Sequence, residues 1–367
     1  MTDPIFIGAR IYRGSSYGPR HPLSIPRVPT VTDLCRALGW LPDTRYRTSP
    51  CAKPSALTRF HTPAYIDALQ RAEATLTPDP AFDLGTLSNP VFPEVYRRPA
   101  TAAGGGLLAA EHVRGGGVAY NPGGGTHHGL PDRANGFCYI NEPVLTIRHL
   151  LGMGLDRIAY VDIDAHHCDG VAVAFHGSDR VRMISVHENR RWPFTGALED
   201  DAGGAAINIP VPRGFNDTEF DLILSEVILP AVAAQSPDAI YLQCGADAVT
   251  EDPLSRLTLS NRCHVQAVRA LRPLSPRLIV SGGGGYNPWS VGRAWTCVWA
   301  ALSGAEIPDL LPSDASGILR GLTWSRKAQP TEAMLTTLLD PPRPGPISDM
   351  VRHAVSVLTA RSGTQPR

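Results

Sequence analysis

The segment 158–170 concentrates the side chains of this chain that are best suited to chemistry. It opens as an apolar run, which is typical of a strand buried on both faces of a parallel sheet. Five ionisable side chains follow within eight residues: Asp162, Asp164, His166, His167 and Asp169. Because a carboxylate at the end of a buried strand must either ionise against a cation or stay protonated, this cluster predicts a site for a divalent metal. The alternative is a loop of solvated charges, the usual place of any one such residue alone.

The predicted metal ligands are Asp164, His166 and Asp247. A catalytic site of this kind keeps one coordination position open for water. Two carboxylates nearly cancel the charge of the ion, so this water is acidified less than it would be beside three neutral imidazoles. Mixed oxygen and nitrogen ligands suit zinc, and they also admit iron(II) or cobalt.

The adjacent pair His127 and His128 supplies the bases that such a site needs. One ring can act as general base and the other as an electrostatic group, while Asp162 and Asp169 are available to orient their far nitrogens. For a lone histidine, a satisfied structural role is the favoured interpretation. Here the full set of partners favours catalysis.

Tyr286 follows four consecutive glycines, 282–285. Glycine permits a backbone bend that brings the phenol over the site, where its hydroxyl can donate to an oxygen that gains negative charge. The competing interpretation of 282–285, and of 123–125, is a phosphate or dinucleotide loop. We reject it because neither run has the Gly-x-Gly-x-x-Gly spacing or a P-loop lysine.

Two aromatic residues are predicted to form the walls of a slot for a long aliphatic chain. Phe137 lies beside Gly136 just after the histidine pair, and Trp192 lies in the turn 190–196. The alternative for each is an ordinary core aromatic residue.

The elements that must position these side chains alternate along the chain. The predicted strands are 4–12, 118–121, 158–162, 182–186, 207–211, 239–244 and 277–280, and the predicted helices are 28–41, 63–75, 94–113, 139–151, 170–175, 217–235, 260–271 and 288–302. This alternation predicts an α/β fold with a mostly parallel central sheet and helices on both faces.

In such sheets the ligand site lies beyond the carboxyl ends of the strands. The candidate residues obey this rule: His127 and His128 follow strand 118–121, Asp164 and His166 follow 158–162, His187 and Trp192 follow 182–186, Asp247 follows 239–244, and Tyr286 follows 277–280. We therefore expect five strand ends to converge on one site.

Length and composition bound the remaining interpretations. With 367 residues, 43% of them hydrophobic, the chain can bury a large core, and we expect a single domain across 1–367. Its 34 basic and 34 acidic residues give a formal charge of zero, so no global field recruits nucleic acid or a membrane. No leader or spanning segment is found, and we expect a soluble, cytoplasmic protein. Seven cysteines without a Cys-x-x-Cys pair argue against a disulfide framework and a thiolate zinc site.

Several motifs together resemble the zinc-dependent histone deacetylase family, most closely its class I-like bacterial branch, which includes acetoin utilization proteins. They are Gly-Gly-Gly-Thr-His-His at 123–128, Pro-Asp-Arg-Ala-Asn-Gly-Phe-Cys-Tyr-Ile-Asn at 131–141, Asp-Ile-Asp-Ala-His-His-Cys-Asp-Gly at 162–170, Gly-Ala-Asp at 245–247 with Asp-Pro-Leu at 252–254, and Gly-Gly-Gly-Gly-Tyr-Asn at 282–287. The resemblance covers about 21–304, and 305–367 is expected to be a helical and loop extension. It implies the arginase/deacetylase fold and an amide hydrolase.

The resemblance also implies a role for each matching residue. Zinc would be held by Asp164, His166 and Asp247. His128 would be the general base and acid with His127 assisting, Asp162 and Asp169 would support the two histidines, and Tyr286 would polarise the acetyl carbonyl. The substrate tunnel would be lined by Gly136, Phe137, Trp192 and Leu254. A potassium or sodium ion would involve Asp164, Ser185 and the backbone carbonyls of Asp162, His166 and Val186.

The chain departs from the family pattern at four places. Cys168 stands where the zinc motif usually has glycine, and Trp192 follows Arg190 and Arg191 in the tunnel loop. Ser88 replaces a carboxylate that grips the peptide backbone, which puts peptide recognition in doubt. Ser24 replaces a lysine that contacts inositol phosphate in corepressor-bound members, which argues against a corepressor complex.

The favoured function is removal of acetyl or other acyl groups from N-ε-acyl-lysine in proteins, by attack of the activated water on the amide. One alternative is deacetylation of a small acetylated amine such as an acetylpolyamine. A second is a non-catalytic binder of acyl-lysine, and a nucleic-acid module has no basic stripe to support it. Acyl length, native metal and oligomeric state stay open.

Overall fold

Eight parallel strands form the centre of the protein in a computed structural model that describes residues 3–362. The strands are β1 Ile5–Gly8, β2 Tyr46–Thr48, β3 Gly117–Asn121, β4 Ile158–Asp162, β5 Val181–Glu188, β6 Ala206–Val211, β7 Ala239–Gln243 and β8 Arg277–Ser281. Their order across the sheet is β2-β1-β3-β8-β7-β4-β5-β6, and each neighbouring pair is parallel. The predicted α/β class with a parallel central sheet is confirmed.

Helices cover both faces of this sheet. In the described part of the chain they are α1 Ile11–Gly14, α2 Arg27–Ala37, α3 Pro54–Leu57, α4 Pro63–Thr75, α5 Arg97–His112, α6 Glu142–Gly152, α7 Asp169–Phe175, α8 Asp217–Ile223, α9 Leu229–Gln235, α10 Arg262–Leu271, α11 Pro288–Ser303, α12 Ser313–Arg320, α13 Glu332–Thr336 and α14 Asp349–Ser362. Strand β4 shows why both faces need cover, because Ile158 and Tyr160 pack into one apolar cluster while Ala159 and Val161 pack into another. A strand buried on both faces is hydrophobic throughout, as its sequence predicted.

One predicted helix is interrupted. The sequence 217–235 was expected to be a single helix, but a π-helical stretch, Leu224–Ile228, separates α8 from α9. Pro230 explains the change, because it has no backbone N–H to donate and its ring clashes with the preceding turn of an α-helix. A wider turn relieves both problems.

Glycines in helix α5 allow it to pack closely against its neighbours. A Cβ atom on Gly104 would lie 1.9 Å from the Pro50 carbonyl oxygen, and one on Gly106 would lie 2.0 Å from Oε1 of Glu142. Glycine is therefore required in this helix for contact, although it lowers helix propensity.

The N-terminal region differs from the prediction. The expected strand 4–12 ends at Gly8, and α1 begins at Ile11, where the buried Tyr12 packs against Gly123. Strand β2 was not predicted at all. It has three residues at the edge of the sheet, half-buried or exposed, so no apolar run announces it.

Residues 305–362 contain helices α12 to α14, and they are anchored to the core. The buried ion pair of Arg293 with Asp340 is 2.6 Å long, and the indole N–H of Trp289 donates to the Leu319 carbonyl at 2.9 Å. The assignment of a single domain to 1–367 stays a prediction. Within the described residues, no helix combines the length and the apolar character needed to cross a membrane.

Buried His61 ties the start of α6 to the loop that carries the histidine pair. Its Nδ1–H donates to the Leu130 carbonyl at 2.9 Å, and its Nε2 accepts the Asn141 N–H at 3.0 Å. This pattern requires a neutral ring. Burial lowers the pKa of His61 to about 4, against 6.5 for a free histidine.

His61 should make folding sensitive to acid. Below pH 6.5, His61 takes up a proton in the unfolded chain, whereas in the folded chain it stays neutral down to about pH 4. Stability is therefore lost as pH falls from 6.5 toward 4. The difference in unfolding free energy between wild type and His61→Gln should shrink over this range, by at most about 1.4 kcal/mol per pH unit. Denaturant unfolding of both proteins at stepped pH measures it. A difference that stays constant from pH 7.5 to 5 would contradict the role.

Candidate active site

Five adjacent strands of the sheet, β3, β8, β7, β4 and β5, end at one edge, and each leads into predicted site residues. His127 and His128 follow β3, Tyr286 follows β8, Asp247 follows β7, Asp164 and His166 follow β4, and Trp192 follows β5. His128, His166, Trp192 and Tyr286 line one cavity, Asp164 and Asp247 lie next to His166, and His127 lies next to His128, as expected for the carboxyl ends of parallel strands.

The three predicted metal ligands are close enough to share one ion. One ligand atom from each of Asp164, His166 and Asp247 lies within 4.8 Å of the others, and all three residues are buried. Nδ1 of His166 is 2.9 Å from Oδ2 of Asp247 and 3.3 Å from Oδ1 of Asp164. Two carboxylates and an imidazole nitrogen form a donor set suited to zinc or iron(II).

The electrostatics of this trio fit a cation. Burial, followed by the charge of Asp164, raises the pKa of Asp247. Burial opposes a charge on His166, but the hydrogen bonds and charges of Asp164 and Asp247 outweigh it and raise its pKa to about 10. Two buried carboxylates thus attract positive charge to the point between them, where a divalent ion would be stabilised.

Glycines let the backbone approach these carboxylates. The N–H of Gly284 donates to Oδ2 of Asp164 at 2.6 Å, and a Cβ atom on Gly284 would lie 2.0 Å from Oδ2 of Asp247. A Cβ atom on Gly245 would lie 2.1 Å from Oδ2 of Asp164. Side chains at these positions would displace the proposed ligands.

Each histidine of the pair is hydrogen-bonded to its own carboxylate. Nδ1 of His127 is 2.7 Å from Oδ2 of Asp162, and Nδ1 of His128 is 2.6 Å from Oδ1 of Asp169. The two Nε2 atoms are 2.9 Å apart. Asn135 holds Asp169 through a 2.9 Å hydrogen bond, so each ring is oriented by a carboxylate that is itself fixed.

These surroundings give the two rings opposite charge states. Burial disfavours a charge on His127, but Asp162 and Asp164 outweigh it and raise its pKa to about 9. Burial and then the charge of His127 lower the pKa of His128 to about 4. His127 is therefore the cationic partner at neutral pH, while His128 is neutral and able to accept a proton.

Tyr286 also lines the cavity, and its backbone is fixed. Its backbone N–H donates to Oδ2 of Asp252 at 2.6 Å, and the preceding Gly283 and Gly285 have φ of 149° and 132°, which side-chain residues rarely adopt. Burial, and then the charges of Asp247 and Asp164, raise the pKa of Tyr286 well above its ordinary value. Its hydroxyl keeps its proton and can donate.

A cavity of about 650 Å³ leads from the surface to these groups. The predicted tunnel residues line it, namely Gly136, Phe137, Trp192 and Leu254, and so does Ser88. The indole of Trp192 lies edge-on to His128, with ring centroids 4.6 Å apart, and a Cβ atom on Gly136 would lie 2.0 Å from Cη2 of Trp192. The indole of Trp192 therefore fits in this position because Gly136 has no side chain.

Sequence reasoning missed the clamp that holds the loop after β5. The guanidinium of Arg191 binds both carboxylate oxygens of Glu188 and donates to the Leu254 carbonyl at 3.0 Å. From the sequence, Arg191 was named only as a neighbour of Arg190 in the tunnel loop. Asp252 was given no role either, although it stands in the Asp-Pro-Leu motif and fixes the Tyr286 backbone.

The family of the chain follows from comparison with known proteins. A model of the histone deacetylase domain matches residues 21–302. The chain belongs to the histone deacetylase family. Histone deacetylase 9 of Arabidopsis thaliana is 35% identical over 315 residues, which cover 82% of this chain and 74% of that protein. The acetoin utilization protein AcuC of Bacillus subtilis is 32% identical over 331 residues, 86% of each chain. The recognition drawn from the motifs is confirmed.

Solved structures of the family agree in fold. The crystal structure of an HDAC homolog from Aquifex aeolicus superposes with a TM-score of 0.91 at 35% identity, over 97% of this chain and all of that chain. A structure of an HDAC homolog in complex with SAHA gives 0.90 at 34% identity, with the same coverage. This histone deacetylase family member therefore has the arginase/deacetylase fold that its motifs implied.

The monovalent cation expected from the family stays a prediction. Asp162 of β4 and Ser185 of β5 are register partners, so the residues assigned to this ion come from adjoining strand ends. The hydroxyl of Ser185 is 2.9 Å from Nδ1 of His187, and Val186 is buried. Backbone carbonyls of His166 and Val186 would complete the site.

Metal content tests the ligand set. Purified protein should hold about one catalytic transition metal per chain, and Asp247→Asn should lose it, because the amide removes one of the two charges that attract the ion. Elemental analysis by mass spectrometry measures the metal per chain. Asp221→Asn, an exposed change on α8, serves as the matched control and should retain the metal. Full occupancy in Asp247→Asn would show that the ligand assignment is wrong.

Proposed function

We propose that this family member hydrolyses N-ε-acyl-lysine, with a protein-borne acyl-lysine as substrate and zinc or iron(II) held by Asp164, His166 and Asp247. One observation carries the proposal. Two histidines, each hydrogen-bonded to a buried carboxylate, and Tyr286 converge beside the three ligands at one cavity. A passive binder of acyl-lysine would have no need of this acid-base set.

The metal, when bound, would polarise the substrate carbonyl and make water more acidic. His128 would accept a proton from the attacking water at Nε2, because its Nδ1–H is committed to Asp169 and Nε2 therefore carries no proton. The same ring would then return the proton to the departing lysine amine. His127 would stay protonated on Asp162 and stabilise negative charge developing nearby.

Tyr286 would complete the stabilisation of the tetrahedral intermediate. Its phenol would donate to the carbonyl oxygen as that oxygen becomes an anion. The backbone bond to Asp252 fixes the residue before substrate arrives, and such preorganised donors act most strongly in a buried site.

The cavity walls suit the lysine side chain. Phe137 and Trp192 line the cavity together with Leu254, and they offer apolar surface to four methylene groups. Burial of that chain would contribute about 25 cal/mol for each Å² of apolar surface removed from water. The polar acyl amide would then reach the histidines and Tyr286.

A fluorogenic acetyl-lysine substrate tests the reaction. The purified protein should release acetate and free lysine amine, and a chelator should abolish turnover, which zinc or iron(II) should restore. Liquid chromatography of the products measures both. Absence of hydrolysis by metal-replete protein, or turnover unaffected by verified metal removal, would refute the proposed function.

Tyr286→Phe should lower turnover by about 10²- to 10³-fold, the typical cost of losing one oxyanion donor, and leave metal content unchanged. Tyr46→Phe is the matched control, because it removes a hydroxyl at the far edge of the sheet and should leave turnover as it is. Steady-state kinetics on both variants provide the comparison. A Tyr286→Phe protein as fast as wild type would remove this residue from the mechanism.

A further inference from the structure

The rim of the cavity carries one arginine, Arg190, that has no carboxylate partner in the described part of the chain. The rim consists of the exposed lining residues Asp83, Thr86, Ser88, Arg190, Trp192 and Phe194. Among these residues, only Asp83 and Arg190 are charged. Asp83 already faces a guanidinium, that of Arg133 at 3.7 Å, which it shares with Asp132. Within residues 3–362, Arg190 forms no hydrogen bond or ion pair with another side chain.

No carboxylate deeper in the cavity forms an ion pair with Arg190. Glu188 is the nearest carboxylate in sequence, but both of its oxygens are bound by Arg191, and the Arg256 N–H also donates to it at 2.8 Å. The wall that contains Thr86 and Ser88 offers hydroxyl groups and one carboxylate, that of Asp83, which faces Arg133. The guanidinium of Arg190 is therefore available to a ligand.

The backbone holds Arg190 in place. The Asn189 N–H donates to the Val211 carbonyl at 2.8 Å, and the Arg191 side chain ties the next residue to Glu188 and Leu254. Arg190 itself has a φ of 55°, in the left-handed region that arginine rarely adopts. A side chain whose backbone is already fixed loses less conformational entropy when it binds a partner.

We propose that Arg190 makes this enzyme selective for acyl-lysine that carries a carboxylate nearby. This inference rests on the proposed function and names the substrate class within it. The carboxylate could be an acidic side chain next to the acyl-lysine in a peptide, or the α-carboxylate of free N-ε-acyl-lysine. A guanidinium binds a carboxylate through two parallel hydrogen bonds, and it repels cationic substrates such as polyamines.

Matched substrates test the proposal. Acetyl-lysine peptides with Glu, Gln or Lys as the neighbouring residue give one series, and free N-ε-acetyl-lysine and its α-amide give the other. We expect kcat/KM to be about fivefold higher for the Glu peptide than for the Gln peptide, the range of an exposed ion pair, and lowest for the Lys peptide. A preference seen only for free acetyl-lysine over its amide would identify the α-carboxylate as the source. In either case, added salt should weaken the preference.

Variants assign the preference to Arg190. Arg190→Gln should bring the ratio of kcat/KM between acidic and neutral substrates close to one, and Arg190→Glu should invert it. Arg352→Gln removes an exposed charge on α14, outside the cavity, and should keep the wild-type ratio. Thermal melts verify that each variant is folded.

Equal kcat/KM across both series, or a preference that survives in Arg190→Gln, would overturn the inference while leaving the proposed function intact. Absence of hydrolysis for every acetyl-lysine substrate would refute the proposed function and, with it, this inference.

Discussion

The burial of carboxylates at the ends of β4 and β7 is the constraint on which the rest of the site depends. Asp162 is satisfied by protein groups, since it accepts the Asp164 N–H at 2.9 Å and holds His127 at 2.7 Å. Asp164 and Asp247 are almost fully buried, and they share a single imidazole, that of His166. Two charges in a medium of low polarity need a cation between them. Asp164, His166 and Asp247 therefore form a candidate metal site in which a divalent ion would stabilise the buried charges.

Much of the surrounding structure keeps these charges in position. Glycines at the ends of β7 and β8 let backbone N–H groups come close to the carboxylates, and the buried Glu142 accepts the Gly125 N–H at 2.9 Å to hold the loop before the histidines. Asn141 donates to the His127 and Gly129 carbonyls from the other side. The side chains that would react are therefore positioned by groups that would not, as preorganised catalysis requires.

The sequence predicted the centre of the molecule better than its periphery, for physical reasons. Asp164 and His166 follow a fully buried strand, so one short stretch of sequence predicted both the strand and the candidate metal ligands at its end. The edge strand β2 has no such pattern and exists through its pairing with β1. The charge balance of the rim could not be read from the sequence either, because it depends on which partner each arginine finds. Arg190 and Arg191 are adjacent and alike in type, yet only Arg191 reaches Glu188.

The position of the metal tests the central claim most directly. Anomalous X-ray diffraction from crystals of the purified protein, recorded at the absorption edge of the metal that it contains, would locate the ion. The account predicts one strong peak in contact with the carboxylates of Asp164 and Asp247 and with Nδ1 of His166, at about 2.0 to 2.2 Å from each ligand atom. A peak held instead by the His127 and His128 rings, or an ion that touches only one of the two carboxylates, would contradict it.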